Sequence, residues 1–300
     1  MLFSEIKSTG KLSNVLLERF IISKNAGYEY KIREPFTVKK LRQEADMGLD
    51  IYAGTLTRYY SGNWKTIAQQ WGEANGYQVN VVRANKNEDE EPVPPEEILE
   101  AVTSWRDLMI ERMGSNLEKK PLWNEDNDST PYYTDKPDWN AIQALMLYTI
   151  CKINGQEVPE TVSKHYDLFE KKIYNDFIQK HPNISLINGD GWWLPFYDAF
   201  MFKYFLPTGQ EQKFATVGLL KNELEQINSI EWNADETTIL KWADEEGYPV
   251  EGTLGADKKV QFSEPAEDYN TISLAKFAFS ILWQAVKHSE KYGTVIIFDF

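Results

Sequence analysis

Residues 271–300 constrain the fold of this chain more than any other stretch. Residues 271–292 follow the helical period and are apolar around much of the helix circumference, which predicts a helix that neighbouring elements cover on several sides. Gly293 then supplies a helix terminator, and residues 294–300 predict a β-strand. A buried helix that runs directly into a strand indicates a sheet with helices packed against it.

The segment 47–64, MGLDIYAGTLTRYYSGNW, predicts the first strand of that sheet. Residues 49–60 alternate as a strand, a helix follows from about Trp64, and a short strand is predicted at 78–83. The chain is therefore expected to open as β-α-β. Alternate strand residues lie on opposite faces, which puts Leu49, Ile51 and Ala53 on one face and Asp50, Tyr52 and Gly54 on the other.

Helices dominate the predicted middle of the chain. Pro95 opens a helix after an acidic, proline-containing loop, and Asp138 is the expected N-cap of a helix at 139–153. The aromatic stretch 192–206 contains a proline and fits neither a regular helix nor a strand. Further helices are predicted at 160–180, 213–228 and 234–246, and a long loop at 248–268.

Size and composition allow one packed domain beside a separate N-terminal segment. A chain of 300 residues with 42% hydrophobic residues can bury a substantial core. We predict an α/β or α+β globular domain over residues 47–300, in which a mixed sheet packs against several helices and ends in a buried C-terminal helix and a terminal strand. Residues 1–46 leave two alternatives open: a basic arm that packs on the body or on a neighbouring subunit, or an extension upstream of an alternative start at Met47.

The charge of the chain is divided unevenly. Residues 1–46 contain nine of the 32 Lys/Arg and six of the 46 Asp/Glu, a balance of +3, which leaves 23 and 40 for residues 47–300, a balance of −17. An acidic body repels nucleic-acid phosphates and anionic membranes and favours encounter with basic protein surfaces. We therefore expect a protein partner with a basic surface, no direct nucleic-acid contact and no membrane. The alternative is that the acidity serves solubility alone.

Sequence features indicate a cytoplasmic protein. No apolar run approaches the roughly 20 residues of a membrane-spanning helix, and the N-terminus lacks the features of a secretory signal. Cys151 is the only cysteine, so a disulfide framework within the chain is excluded and a reducing compartment is expected.

Motifs for familiar catalytic and cofactor sites are absent from the sequence. The chain has no phosphate-binding loop, dinucleotide fingerprint, nucleophile elbow or zinc-binding His-Glu-x-x-His helix. His165, His181 and His288 stand apart from one another, and Cys151 lies in a predicted helix, where packing is favoured over nucleophilic chemistry. We expect no metal ion and no cofactor, and the absences favour a non-enzymatic protein.

Several aspartates nevertheless form a candidate carboxylate site. Asp50, Asp198 and Asp299 each interrupt an apolar run, and Asp190 lies in a Gly-Asp-Gly turn. If two carboxylates converge at the ends of neighbouring strands, they could divide acid and base roles or bind a divalent cation. The alternative is that each is hydrogen-bonded or ion-paired within the fold, with Arg58 as a suitable partner. The candidate carboxylate site comprises Asp50, Asp190 and Asp198.

Aromatic residues supply the candidate binding surface. Trp, Tyr and Arg are enriched at the energetic centres of protein interfaces, although most aromatic residues of a domain pack in its core. Residues 58–64 concentrate these types where the predicted strand ends, and a tryptophan pair follows the glycine turn at 189–191. The predicted binding residues are Arg58, Tyr59, Tyr60, Trp64, Trp192 and Trp193.

The two ends of residues 47–300 carry a resemblance. The segments 47–64 and 276–300, the latter KFAFSILWQAVKHSEKYGTVIIFDF, resemble uncharacterised bacterial and phage-associated proteins that begin with Met-Gly-Leu-Asp and end in a buried helix and strand. The resemblance carries no catalytic assignment and does not extend to residues 1–46. It implies a mobile-element or host-conflict protein.

The leading hypothesis is a cytoplasmic protein that binds another protein, as an immunity protein or a phage anti-defence inhibitor. Two alternatives stay open. One is a metal-dependent hydrolase or nucleotide-processing enzyme that uses Asp50, Asp190 or Asp198. The other is a self-assembling structural protein in which residues 1–46 clasp a neighbouring subunit.

Overall fold

A computed structural model describes residues 48–74, 76, 93–113, 117–249, 252–254, 260–262 and 266–299. The segment 1–46, the strand predicted at 78–83 and most of the acidic loop before Pro95 lie outside the described residues. The predicted boundary at Met47 also falls there.

The described chain alternates helices with short strands. Its strands are β1 (Asp50–Gly54), β2 (Tyr133–Asp135), β3 (Thr161–Ser163), β4 (Trp192–Leu194), β5 (Met201–Phe205), β6 (Glu211–Thr216), β7 (Gly252–Leu254), β8 (Val260–Phe262), β9 (Asp268–Asn270) and β10 (Val295–Asp299). Its helices are α1 (Leu56–Ser61), α2 (Ile67–Ala74), α3 (Pro95–Met113), α4 (Asp138–Ile153), α5 (Lys172–Lys180), α6 (Ser185–Asn188), α7 (Val217–Ile230), α8 (Glu236–Glu245) and α9 (Thr271–Tyr292). A 3₁₀ turn covers Leu168–Glu170.

Six strands form one sheet in the order β2-β1-β10-β4-β6-β5. β4 and β6 are parallel and the other neighbours are antiparallel, so the sheet is mixed. β3 pairs with β9 and β7 with β8 in two smaller antiparallel sheets. With its packed helices this is an α+β fold, which confirms the predicted class.

Both faces of the large sheet are covered. Ile51, Ala53, Ile296 and Phe298 belong to the core cluster that includes the buried residues of α4 and α9. The opposite face, called here the aromatic face, packs against α1 and α3. The aromatic face is formed by Tyr52, Leu194, Phe214, Val295 and Ile297.

The C-terminal helix and strand form as predicted. Asn270 caps α9 by accepting a hydrogen bond from the Ser273 N–H at 2.8 Å, and Gly293 ends the helix with φ 68° in the left-handed region. β10 then enters the sheet between β1 and β4, with four buried residues followed by half-buried Asp299. The central position of β10 explains why both the helix and the strand are so apolar.

The strand predicted at 49–60 is wrong beyond Gly54. Thr55 ends the strand because its hydroxyl accepts the Arg58 N–H at 3.2 Å and caps α1. Gly54 leaves room for the side chain of Tyr52, since a Cβ at that position would collide with the Tyr52 hydroxyl. Gly62 closes α1 with φ 66°, in the left-handed region that favours glycine.

Three other predicted segments differ from the structure. Within the helix predicted at 160–180, only Lys172–Lys180 is an α-helix, because residues 161–163 instead pair with β9. The helix predicted at 213–228 begins as β6 and becomes α7 at Val217. The unassigned stretch 192–206 contains β4 and β5.

Asp138 is the first residue of α4 and not its N-cap. Its φ is 56°, and its carboxylate accepts the N–H of Leu49 at 3.3 Å. Asp138 therefore ties the start of α4 to the start of β1. Among the described helices, none has the length and apolarity that would be needed to cross a bilayer.

Candidate functional site

Two predicted carboxylates lie side by side at one end of the sheet. Asp50 of β1 is directly opposite Asp299 of β10. The N–H of Phe298 donates to Gly191 on the β4 side, so its neighbour Asp299 faces β1, and the two aspartates form a hydrogen-bonded antiparallel pair. Their Cα atoms are accordingly about 5.5 Å apart, and both side chains project from the aromatic face. Like charges directly opposite each other destabilise a sheet.

An aromatic layer borders this Asp50/Asp299 pair. The ring of Tyr59 lies between Tyr52 and Trp192, with centroid distances of 5.4 and 5.9 Å. The Tyr59 hydroxyl donates to Oδ1 of Asp299 at 2.7 Å. Trp64 packs on Tyr52 at 4.9 Å and stacks on Tyr59 at 6.1 Å. Half-buried Tyr59 therefore links the half-buried rings of Trp64 and Trp192 to the carboxylate of Asp299.

The environment of Asp50 opposes its ionisation. Desolvation by burial is the main reason that its pKa rises from 3.8 to about 6, and the charges of Asp299, Asp138 and Asp135 raise it further. Lys136 acts in the opposite direction, but its ammonium group lies 3.1 Å from Oδ1 of Asp138. Oδ1 of Asp50 is enclosed and has no hydrogen-bond partner among the described residues.

Arg58 does not pair with Asp50, contrary to the structural alternative raised from the sequence. The side chain of Arg58 is buried, and its guanidinium donates to the carbonyl oxygens of Thr130, at 2.8 Å, and Asn127. These bonds hold the segment 124–130 against α1. Arg58 is thus occupied within the fold, and its contribution to a binding surface is indirect.

A buried glutamate also holds the segment 124–130 against α1. Glu125 accepts hydrogen bonds from the N–H and the hydroxyl of Thr57, at 2.9 and 3.0 Å, and from the indole of Trp123 at 2.7 Å. Desolvation raises its pKa, and these hydrogen bonds lower it. Because α1 carries Tyr59, the contacts of Arg58 and Glu125 fix the position of the tyrosine that reaches Asp299.

The two tryptophans of the predicted binding surface have different environments. Trp192 is half-buried at the aromatic layer, whereas Trp193 is 1% exposed and its indole donates to the hydroxyl of Ser185 at 2.9 Å. Alternation along β4 explains the difference, since Trp193 faces the α4 and α9 side. Tyr60 is half-buried, with its ring 5.5 Å from that of Tyr59.

The structure separates the three residues of the predicted carboxylate site. Asp190 precedes β4 at the same end of the sheet as Asp50, and its carboxylate accepts the N–H of Lys213 at 3.0 Å. Asp198 follows β4 at the opposite end and accepts the N–H of Glu118 at 3.0 Å. Asp50 and Asp198 therefore do not converge, and the nearest carboxylate partner of Asp50 across the sheet is Asp299.

Potential metal ligands are dispersed in the part of the chain that the structure describes. No group of three or more His, Cys, Asp or Glu residues lies close enough there to hold a metal ion. Cys151 is buried in α4, and burial raises the pKa of its thiol. His288 contacts the carbonyl of Pro131, and desolvation lowers the pKa of its imidazole.

Replacing Asp50 by asparagine is expected to stabilise the protein at neutral pH. The folded-state pKa of Asp50 is raised from 3.8 to about 6, so the unfolded chain ionises this group at a lower pH than the folded chain does. The free energy of unfolding therefore falls as the pH rises from 3.8 towards about 6. Asp50→Asn removes that loss, so we expect a gain of about 1 kcal/mol at pH 7.5, allowing for screening of a half-buried group. Below pH 4 the gain should vanish. Urea unfolding at both values measures it, and an equal effect at the two would contradict the assignment.

Sequence reasoning missed the roles of Glu125 and Tyr132. The Tyr132 ring lies 6.1 Å from Tyr52, and its hydroxyl accepts the N–H of Lys65 at 3.1 Å. Neither residue lies in a sequence motif. Both are far from α1 in the sequence, so their contacts with it become visible only in the folded chain.

Comparisons with protein-family models, curated proteins and solved structures found no match to this chain.

Proposed function

We propose that this chain is a cytoplasmic, non-enzymatic protein that binds another protein, and that the Asp50/Asp299 pair receives a Lys or Arg side chain of that partner. The supporting observation is the pair itself: two opposed carboxylates, one with an enclosed oxygen that lacks a hydrogen-bond partner among the described residues. A cation beside the two carboxylates would relieve their repulsion through charge-assisted hydrogen bonds.

The surroundings of the pair suit a cationic side chain. Tyr59, Trp64 and Trp192 offer aromatic rings beside the carboxylates, and rings attract cations through their faces. Asp135 and Asp138 lie near enough to raise the pKa of Asp50, so the field at this end of the sheet is acidic. The body charge of −17 adds long-range attraction for a basic partner surface.

The resemblance to phage-associated proteins that is expected from residues 47–64 and 276–300 suggests the specific form of this proposal. An immunity protein or anti-defence inhibitor acts by occupying a surface of its target, which requires recognition residues and no catalytic group. An acidic site with aromatic neighbours is suited to targets whose working surfaces are basic, as those of nucleic-acid-binding proteins are.

Affinity capture from a host bacterial lysate tests the proposal with matched variants. The tagged wild-type protein should retain a basic partner that Asp50→Asn and Asp299→Asn each lose, and the retention should weaken as salt is raised. Asp176→Asn serves as control, because Asp176 is in an exposed ion pair with Lys172 away from the site. Capture that is equal for all four proteins would refute a role for the pair.

The raised pKa of Asp50 favours a second candidate, an enzyme in which Asp50 donates a proton and Asp299 acts as base. Two carboxylates with different environments can divide these roles near neutral pH. Hydrolysis of chromogenic esters, glycosides and phosphates, alone and with magnesium, manganese or zinc, tests this candidate. Activity that is abolished by both Asp50→Asn and Asp299→Asn would support it. Equal rates in wild type and variants would exclude this pair as the catalyst.

A further inference from the structure

β5 is an outermost strand of the large sheet and is rich in apolar residues. Its sequence is Met-Phe-Lys-Tyr-Phe, and it pairs on one side with β6. Among the described residues, no strand pairs with its other side. Phe205 is 55% exposed, and the side chain of Lys203 is also exposed. Natural proteins usually protect such an edge, because unpaired backbone groups recruit further strands.

Hydrogen bonds at the two ends of the hairpin reveal which backbone groups face outward. The N–H of Leu206 donates to Gln210, and the N–H of Thr216 donates to Phe200. These bonds mark hydrogen-bonded pairs at both ends of the β5/β6 ladder, and such pairs alternate along antiparallel strands. Residues 202 and 204 therefore bond to β6. The N–H and C=O groups of Met201, Lys203 and Phe205 point away from it.

One of the three outward positions is already occupied. The indole N–H of Trp105 on α3 donates to the carbonyl of Phe205 at 2.7 Å. This bond reaches β5 from its outer side, which agrees with the alternation. α3 thus covers the Phe205 end of the edge, whereas no described residue bonds to the outward groups of Met201 and Lys203.

We propose that a second copy of this chain pairs with β5 in antiparallel orientation, with the two-fold axis at Phe202. In this register Met201 of each copy lies opposite Lys203 of the other, and the free backbone groups of both residues form hydrogen bonds. An axis at Lys203 would place the two lysines opposite each other, which is unfavourable. An axis at Tyr204 would require the carbonyl of Phe205. The register at Phe202 avoids both conflicts.

Side chains on the aromatic face match this register. Phe202 would meet Phe202 of the second copy, and Phe200 of each copy would lie directly opposite Tyr204 of the other. Within one copy the Phe202 ring already contacts Phe200 at 5.6 Å and Phe214 at 5.5 Å, so pairing would extend an existing row of rings. Aromatic cross-strand pairs are among the stabilising contacts of sheets.

A second copy fits this edge better than an unrelated strand because the edge is self-complementary about Phe202. Homodimers with a two-fold axis are also the commonest soluble oligomers. The result would be a continuous twelve-stranded sheet, built from two six-stranded ones. This interface does not use the Asp50/Asp299 pair, so it is independent of the proposed function.

Disulfide trapping tests the register directly. Cys151, the only native cysteine, is buried, so an introduced cysteine reports on its own position. Phe202→Cys should form a disulfide-linked dimer under mild oxidation, because directly opposite residues of a non-hydrogen-bonded pair come within reach of a disulfide. Lys203→Cys is the control. Lys203 of one copy lies opposite Met201 of the other, so the two introduced cysteines would be two positions apart along the ladder. Equal trapping at both positions, or at neither, would overturn the proposed register.

Sedimentation of the wild-type protein and of Lys203→Pro tests dimerisation through β5 without an introduced cysteine. Proline at 203 removes an outward N–H and leaves the bonds to β6 intact, so the variant should be a folded monomer while the wild type has twice the monomer mass. Circular dichroism confirms that the variant is folded, and Lys203→Thr provides a second variant that should keep the dimer. A wild-type monomer at the highest soluble concentration, or a folded Lys203→Pro dimer, would refute the proposal.

Discussion

Replacing Phe279 by alanine is expected to lower the free energy of unfolding by about 3–5 kcal/mol. Phe279 lies in the middle of α9 and is fully buried. Its ring contacts those of Trp232, Trp242 and Trp283, with centroid distances of 5.2, 5.9 and 6.0 Å. Alanine would leave a cavity that three rigid indoles fill poorly. Urea unfolding followed by tryptophan fluorescence measures the loss.

Two variants on the same helix calibrate that result. Phe279→Leu retains most of the buried apolar surface, so its effect should be less than half that of alanine. Ile272→Ala changes a residue that is 37% exposed and should stay within about 1 kcal/mol of the wild type. If Phe279→Ala were no more destabilising than Ile272→Ala, the placement of α9 at the centre of the core would be wrong.

The C-terminal helix and strand could be predicted because their signals are local and agree with one another. The apolar surface of 271–292 exceeds one helix face, and Gly293 has no Cβ to oppose a left-handed turn. β10 after it has only one polar residue, Asp299. Each signal lies within a few residues of the feature it specifies. Burial on two sides, by α4 and by the sheet, is what that composition requires.

The segment 49–60 shows where such local signals end. Its first residues alternate correctly between the two faces, and Leu49, Ile51 and Ala53 are buried as predicted. Beyond Gly54 the same mixture of Thr, Tyr and Leu suits a strand in general, and β-propensity depends on packing context. The helix forms instead because Thr55 caps it, and the capping bond is not visible from residue type alone.

The candidate site could be predicted in part for the same reason. Asp50 and Asp299 stand out in the sequence as acids in apolar runs. Their pairing depends on β10 lying next to β1, although the two aspartates are 249 residues apart in the sequence. Arg58 was predicted to be a binding residue because arginine is enriched at the energetic centres of protein interfaces. Its burial follows from the carbonyl groups of the segment 124–130, whose position no local pattern specifies.

Glu125→Ala is expected to destabilise the protein by about 3 kcal/mol and to disturb the candidate site from a distance. Glu125 is 3% exposed and accepts the two donors of Thr57 and the indole N–H of Trp123. Alanine leaves these donors without an acceptor, and each unsatisfied buried group costs about 1–3 kcal/mol before relaxation or water entry. Urea unfolding gives the magnitude, and Glu157→Ala, at an exposed position, should be nearly neutral.

The conservative variant Glu125→Gln distinguishes the two hydrogen bonds from Thr57 from the one from Trp123. Glutamine has the same shape, and its one amide oxygen can accept both donors of Thr57, whereas its NH₂ group cannot accept the indole N–H of Trp123. Its effect should therefore be less than half that of alanine. Because Thr57 and Tyr59 share α1, Glu125→Ala should also weaken partner capture, whereas Glu125→Gln should retain it. A glutamine variant as unstable as the alanine variant would show that the two hydrogen bonds from Thr57 are not what holds α1 in place.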